Sequence, residues 1–525
     1  MTSQRHQATD FHLVLIGTGA STLYTLINLV KRLAAGPPPP APFRIAMVER
    51  SPDGFGGVPY SSRSSYNSLL ITSLRNFLPD SERVLFMKWL DENKHWALNF
   101  FQQQLGPLSA RWLATHRGAI ERGDWEDLYL PRYLFGLYMD ARVRQCLAAA
   151  RSIGVCTLEQ ISGTVNGLTR TGDIFEIDVE GGPQPLRVCA ANVVLAVGSP
   201  SNQVKLAQTV PIEGACLIED PYEPNLNAAL EQIEAFLSQT ADPAPEVLLL
   251  GASASTMDVL YTLNDRLVDR LGVGRSNVRF RVMAPNGKLP DLLDENAPHP
   301  AYVPPALQAL ADRSEFTAKD IYDAAVCDIE SGGSGGLTTS DMLAPISAAV
   351  YVCVKRLPLA AKQEFAAIWG NAIGRLQRRA GHEYLGVAAQ LASEGRLEVI
   401  PGRFRRIASI SAEGAEVEYE SAGVLHRLPH RQSVIVNCAG FARIVDLPET
   451  HLLRRLLAGA LAAPTFAGTG LAVNDMMECS PGLFVLGPLL AGNVISGSPI
   501  WHLEHCGRIS SFSDILADTL FQRLH

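Results

Sequence analysis

Phe11-His-Leu-Val-Leu-Ile16, running straight into Gly17-Thr-Gly19-Ala20-Ser21-Thr22, is the segment from which the architecture is read. The first six residues are apolar and rich in branched side chains, which suits a buried parallel strand. Beyond the glycines, Leu23, Leu26, Ile27 and Val30 recur at helical spacing up to Arg32. Gly36 and the run Pro37 to Pro40 cannot continue a helix. A second apolar strand, Phe43 to Glu49, follows. Strand, tight turn, helix and strand in this order predict a parallel sheet. A Gly-x-Gly turn lets the backbone approach a pyrophosphate, and the amides opening the helix at Ala20 and Ser21 favour its negative charge. Glu49, at the end of the second strand, can accept hydrogen bonds from ribose hydroxyls. It lies 32 residues after Gly17, against a usual ~20, and the proline connector takes up the excess. Thr22 stands where a third glycine is usual, which predicts slightly looser helix–strand packing. The competing reading is a glycine turn kept for packing, with a solvated glutamate.

A second unit of the same kind begins at Glu246-Val-Leu-Leu-Leu250. It continues through Gly251-Ala-Ser253-Ala-Ser255-Thr256, a helix over Met257 to Leu267 and a strand over Val278 to Met283. Two such units, 234 residues apart, indicate two dinucleotide domains. Residues 156–188 alternate as an antiparallel meander before the strand Asn192 to Val197, and a similar meander runs from Arg396 to about Arg427. The expected fold is α/β, with two Rossmann-like domains, the second inserted into the first, and a helical extension. The expected division is 1–205 for the first part of one domain and 206–395 for the insert, with its extension over about 290–395. Residues 396–525 would complete the first domain. The Pro-rich loop Pro298 to Pro305 and the run Ser331-Gly-Gly-Ser-Gly-Gly336 are expected as surface loops.

The 525 residues are 47% hydrophobic and 19% charged, ample for large cores and unlike a disordered chain. A net charge of −8 speaks against a broad nucleic-acid-binding face. No apolar run reaches the ~18 residues a membrane span requires, and the first ten residues lack the apolar core of a secretory signal. A cytoplasmic protein is expected, without nucleic-acid or membrane partners. None of the nine cysteines forms a C-x-x-C pair, so buried free thiols in a reducing compartment are expected. Trp501-His502-Leu-Glu504-His505-Cys506 is not H-E-x-x-H, and no metal is expected there.

Several further segments carry a likeness: Gly54-Phe-Gly56-Gly57-Val-Pro-Tyr60, Leu69-Leu-Ile-Thr72, and Leu130-Pro131-Arg132-Tyr-Leu-Phe-Gly136-Leu-Tyr138. With the strands ending at Gly198 and Gly440, and with Phe484-Val-Leu-Gly487-Pro488, their order and spacing resemble the FAD-NAD(P)-binding flavoprotein family. This is a bacterial group related to the N-hydroxylating flavin monooxygenases. The resemblance implies FAD in the first domain, with Gly17, Gly19 and Glu49 on its ADP half. Gly56, Gly57, Tyr60 and Thr72 would lie along the pyrophosphate and flavin, and Gly198 would join this set. Arg132 would pair with a phosphate or orient the Tyr60 loop; an ordinary ion pair with Glu126 or Asp127 is the alternative. Gly487 and the loop to Asn493 would close over the isoalloxazine, and a helix starting near Ser498-Pro499 would point its N-terminus at the flavin.

For the second turn the resemblance implies NAD(P)H, held by Gly251, Ser253 and Ser255. Ser253 departs from the family's glycine, and a basic run suited to a 2′-phosphate is missing, with Lys288 or Arg281 as possible substitutes. Asp258 matches an acidic position on the family's helix. A fold relic at a domain interface is the alternative. The implied activity is an FAD-dependent, NAD(P)H-using monooxygenase. It would hydroxylate a small amine or heterocycle with O2 through a C4a-hydroperoxyflavin. The alternatives are an FAD oxidase or dehydrogenase without a working nicotinamide site, and a non-catalytic nucleotide-binding scaffold. In this chemistry the cofactor performs the difficult step, so no catalytic dyad stands out. Candidates near the flavin are Asn493, Trp501 and His502. His505 is either on the substrate side or structural. The acidic loop around His299 either faces a cationic substrate group or is solvated surface.

Overall fold

The computed structural model describes residues 9–51, 55–104, 107–181, 184–206, 214–270, 277–295, 300–501 and 506–524. Strand β1 (Phe11–Ile16) is buried at every position but His12. Helix α1 (Ala20–Ala35) packs its Leu23, Leu26, Ile27 and Val30 inward, as their spacing predicts. β2 (Phe43–Glu49) runs parallel to β1. A helical excursion follows, through α2 (Gly57–Tyr60), α3 (Leu74–Phe77), α4 (Asp80–Gln104), α5 (Pro107–Arg122) and α6 (Arg132–Ser152). β3 (Cys156–Ser162) then pairs parallel with β2, as the third strand of the sheet. The expected meander is thus shorter than its alternation suggested. Only β4 (Thr164–Thr171) and β5 (Ile174–Glu180) form a hairpin, which leads antiparallel into β6 (Leu186–Leu195), and β6 lies parallel beside β1.

The second sheet begins with β7 (Cys216–Ile218), α7 (Leu226–Gln239), β8 (Glu246–Leu250), α8 (Ala254–Arg270) and β9 (Arg279–Ala284). After β10 (Asp291–Leu292) come α9 (Pro305–Ala311), α10 (Ala318–Ser334), α11 (Thr339–Arg356), α12 (Leu359–Glu364) and α13 (Gly370–Leu376). These carry a separate small core that includes Leu307, Ile321, Ile346 and Phe365. The run at 331–336 belongs largely to α10 rather than to a loop. Gly332 is buried there, and a side chain in its place would meet Met342 Sδ at 2.3 Å. β11 (Arg379–Ala380) and α14 (His382–Ser393) lead to β12 (Leu397–Pro401), the meander β13 (Arg403–Ser411), β14 (Gly414–Ser421) and β15 (Val424–Arg427), and β16 (Val434–Asn437). The chain closes with α15 (Leu452–Ala458), β17 (Glu478–Ser480), β18 (Leu483–Val485), a hairpin of β19 (Asn493–Ile495) and β20 (Ser498–Ile500), and α16 (Cys506–Leu524).

The first sheet has the order β17-β18-β6-β1-β2-β3, and the second β12-β9-β8-β16-β7 with all pairs parallel. This pairing moves the return to the first sheet from residue 396 to after Asn437, because β12 and β16 flank β9 and β8. Apolar patterning identifies a buried strand but does not choose its neighbour. Two other expectations change. Ser498-Pro499 lies in a strand, and the last helix starts at Cys506. All nine cysteines are free thiols, five of them buried. Among the described residues no helix is long and apolar enough to cross a membrane.

Candidate cofactor-binding site

The first glycine turn is fixed from both sides. Gly17 takes φ +96°, and a Cβ there would fall 2.4 Å from the Ala196 carbonyl at the end of β6. Its N–H donates to the Val48 carbonyl at 2.8 Å. Only glycine accommodates both the left-handed φ and the contact. The Thr22 hydroxyl donates back to the Gly17 carbonyl at 2.8 Å, so the residue replacing the third glycine ties the turn down rather than loosening it. Gly19 caps α1 with no side-chain hydrogen bond, and among the described residues a Cβ built on it meets nothing within 4 Å. The helix therefore presents backbone amides next to open space, with Ala20 and Ser21 in its first turn.

Glu49 and the following loop complete this crevice. Glu49 Oε2 accepts from the Thr18 N–H at 3.0 Å and the Thr18 hydroxyl at 2.7 Å, and Oε1 accepts from the Ser51 N–H at 2.9 Å. Its orientation at the strand end is thus set before any ribose arrives. Gly56, at φ +113°, donates its N–H to the Thr18 carbonyl at 3.0 Å, and a Cβ on Gly57 would touch Gly19 Cα at 3.0 Å. The Gly56-Gly57 loop therefore lies directly on the turn. Gly198 (φ +79°) follows β6, and Gly487 (φ +74°) follows β18, 3.6 Å from Ser21 Oγ as measured from a Cβ built on it. Gly17, Gly198 and Gly487 thus gather at the carboxyl ends of three neighbouring parallel strands, where such sheets bind ligands. Among the described residues the buried hydroxyl of Thr72 has no hydrogen-bond partner. Open amides, missing side chains and an unpartnered hydroxyl fit a dinucleotide.

Tyr60 packs its ring against Phe135 and Phe77. Its hydroxyl lies 3.2 Å from the thiol of Cys506 at the start of α16. Burial raises the phenol pKa well above 10 and pushes the thiol up to about 12, so both stay neutral. Tyr60 anchors the loop to the last helix.

The second turn repeats the first. Gly251 takes φ +97°, a Cβ there would meet the Cys438 carbonyl at 2.7 Å, and its N–H donates to Met283 at 2.8 Å. The Thr256 hydroxyl donates to the Gly251 carbonyl at 2.7 Å. Ser253, half-buried, occupies the place that Gly19 leaves bare. Ser255 is half-buried in the first turn of α8. Of the two candidate cations, Arg281 is buried between Glu246 at 3.2 Å and Glu398 at 2.9 Å, whereas Lys288 is exposed. Arg281 is thereby consumed within the second sheet.

Arg132 pairs with neither of the two nearby carboxylates. Glu126 and Asp127 bind Arg75, and Glu126 also binds Arg83. The Arg132 guanidinium reaches across to Asp258 on α8, both nearly buried, at 11% and 2% side-chain exposure. Asp258 also accepts from the hydroxyls of Tyr222, at 2.9 Å, and Tyr384. The Tyr384 oxygen in turn receives the Leu69 N–H at 2.8 Å. Burial, then the Asp258 charge, raises both phenols well above 10, so they remain donors. Arg132 and Asp258, expected at separate cofactors, form one buried junction between the two units. Tyr222 and Tyr384 escaped the sequence reading, since neither lies near a glycine turn in the chain.

The C-terminal candidates divide. Asn493 is buried and fully engaged: Nδ2 donates to the Leu471 and Leu490 carbonyls at 2.8 and 2.9 Å, and Oδ1 accepts from the Val473 N–H at 3.0 Å. It holds its loop rather than offering a free amide. Trp501 packs edge-on against Phe365 of the extension and lies under the Arg508 guanidinium, and its carbonyl accepts from Asn371 at 2.9 Å. His502, Glu504, His505 and His299 lie outside the described residues.

Residues 14–200 match the model of a family described as FAD-NAD(P)-binding, which bears out the resemblance. Uncharacterized proteins of Mycobacterium bovis and Mycobacterium tuberculosis are 29% identical over 526 residues, covering 98% of this chain and 96% of theirs. Among solved structures, the FAD-bound cadaverine monooxygenase of Erwinia amylovora superposes with a TM-score of 0.56 at 11% identity, covering 98% of this chain and 95% of that one. The ornithine N-hydroxylase of Kutzneria sp. 744 gives 0.53 at 14% identity, covering 99% and 100%. At these identities the superpositions establish the shared two-domain fold.

Proposed function

We propose that the protein is an FAD-dependent monooxygenase using NAD(P)H and O2, a reading supported by the match of residues 14–200 to the FAD-NAD(P)-binding family. Its substrate on this reading is a small amine or heterocycle. The observation that carries the proposal is the crevice at the carboxyl edge of the first sheet. There an uncapped helix, the open flank of Gly19 and the left-handed glycines 198 and 487 converge. Bound flavin would supply two-electron chemistry and oxygen activation. The chain's part is to hold and orient. The α1 amides meet the pyrophosphate, Glu49 accepts from the ribose, and the Gly56-Gly57 loop covers the phosphates. The Thr72 hydroxyl gains the partner it lacks. NAD(P)H would dock at the Gly251 turn, with Lys288 the exposed cation for a 2′-phosphate. Amine-directed solved structures of the same fold support the substrate class.

A second reading, an FAD oxidase or dehydrogenase that takes electrons from its substrate, draws on Ser253 and on the engagement of Arg281 with two glutamates. Anaerobic mixing of the purified full-length protein with NADPH, and separately NADH, distinguishes the two. Bleaching of the visible flavin bands without substrate is expected for the monooxygenase. Bands that respond only to substrate would favour the second reading. A preparation that stays colourless after FAD addition would overturn both.

A further inference from the structure

Outside both crevices, three metal-ligating side chains from distant parts of the chain meet at one point. His116 lies on α5, and His382 and Glu383 open α14. Their ligand atoms all fall within 4.8 Å of one another. Nε2 of His116 is 3.6 Å from Glu383 Oε1, and Nε2 of His382 is 3.2 Å from the same oxygen. Both Glu383 oxygens are buried, and the two imidazole nitrogens face Oε1 at ion-pair distance without forming close, well-aligned hydrogen bonds. A buried carboxylate whose facing imidazoles stand back from close hydrogen-bond contact is better satisfied by a cation held between them. A charge-assisted imidazole–carboxylate hydrogen bond would close to about 2.7–2.9 Å. A tetrahedral ion with ligands at about 2.0–2.1 Å spaces those ligands about 3.3 Å apart. The two measured separations bracket the second value and exceed the first.

We propose that His116, His382 and Glu383 hold one divalent transition-metal ion of the zinc class, with its remaining coordination position open to water. Two imidazoles and one carboxylate suit Zn2+ far better than Ca2+ or Mg2+, which prefer oxygen ligands. His382 is 60% exposed, so solvent reaches the open position. The rings are seated by aromatic neighbours, His116 against Trp112 at 5.0 Å and His382 against Tyr129 at 5.5 Å. α5 belongs to the excursion of the first unit, and α14 leads into the second sheet. The ion therefore clamps the two units together. It also fixes the helix start that presents Tyr384, the next residue, to Asp258.

The test uses full-length protein stripped with a chelator. It is titrated with Zn2+ against a chromophoric competitor, and with Co2+ followed through its visible bands. Wild type is expected to take up one equivalent and to give a tetrahedral Co2+ spectrum. H382A, H116A and E383Q are expected to weaken Zn2+ binding by at least the 10–100-fold that loss of an outer-shell partner costs. His382 is exposed, so H382A keeps the fold, and circular dichroism checks all three. Should H116A or E383Q fail to fold, wild type and H382A decide. Uptake of no stoichiometric Zn2+ by wild type, or equal affinity in H382A, overturns the site. The flavin reading is tested separately, by the flavin bands of the same preparation.

Discussion

The turns at Gly17 and Gly251 are built on one plan and diverge where a ligand would sit. Each places a left-handed glycine against the carbonyl that ends a neighbouring strand, and each is tied down by a threonine five residues on. Each unit also inserts antiparallel strands before the strand that pairs beside the one leading into its glycine turn, β4–β5 before β6 and β13–β15 before β16. The common parts position the helix. The differing parts set what meets its amides. In the first unit Gly19 is bare, Glu49 is pre-oriented, and the Gly56-Gly57 loop covers the turn. In the second, Ser253 stands at the bare position, and an exposed lysine follows the strand. The first arrangement suits a dinucleotide that stays; the second suits one that comes and goes.

The largest effect is expected at the junction between the two units. D258A removes the acceptor shared by Arg132, Tyr222 and Tyr384 and strands a buried guanidinium. Breaking such a pair costs about 3–5 kcal/mol, to be read from denaturant unfolding. A loss below about 1 kcal/mol would mean that the junction is not held by this pair. Next come G17A and G251A. A strained left-handed backbone costs about 1–3 kcal/mol, with carbonyl overlap in addition, and the two losses are expected to be similar. A neutral G251A would break the equivalence of the turns. The smallest effect concerns specificity. K288A is expected to raise KM for NADPH about tenfold, consistent with loss of one charge-assisted contact, and to leave KM for NADH unchanged. Equal effects on both would remove Lys288 from the 2′-phosphate site.

Local chemistry was legible in the sequence. The Gly-x-Gly turns, their flanking strands and helices, and Glu49 depend on residues close in the chain, and they fold as their patterns predict. What escaped was settled at long range. The strand Val434–Asn437 is apolar throughout, and nothing in that pattern says that it joins β8 rather than the first sheet. Arg132 and Asp258 each look like a cofactor contact in isolation, yet 126 positions of chain fold back to join them. That the Asn493 side chain is committed to backbone partners at 471, 473 and 490 has no sequence signature either. His116 lies far from His382 and Glu383 in sequence, so no spacing motif could expose their meeting.

The measurement that bears most directly on the central claim is the FAD content of two matched variants, G19V and S253V, purified alongside wild type. Gly19 has ordinary helix-cap geometry, and among the described residues a Cβ there meets nothing within 4 Å, so a side chain at this position enters the space proposed for the pyrophosphate. G19V is expected to fold and to lose its flavin bands, while S253V keeps them and responds poorly to NAD(P)H. A G19V protein as yellow as wild type, or an S253V protein that has lost its flavin, would contradict the assignment of the two turns.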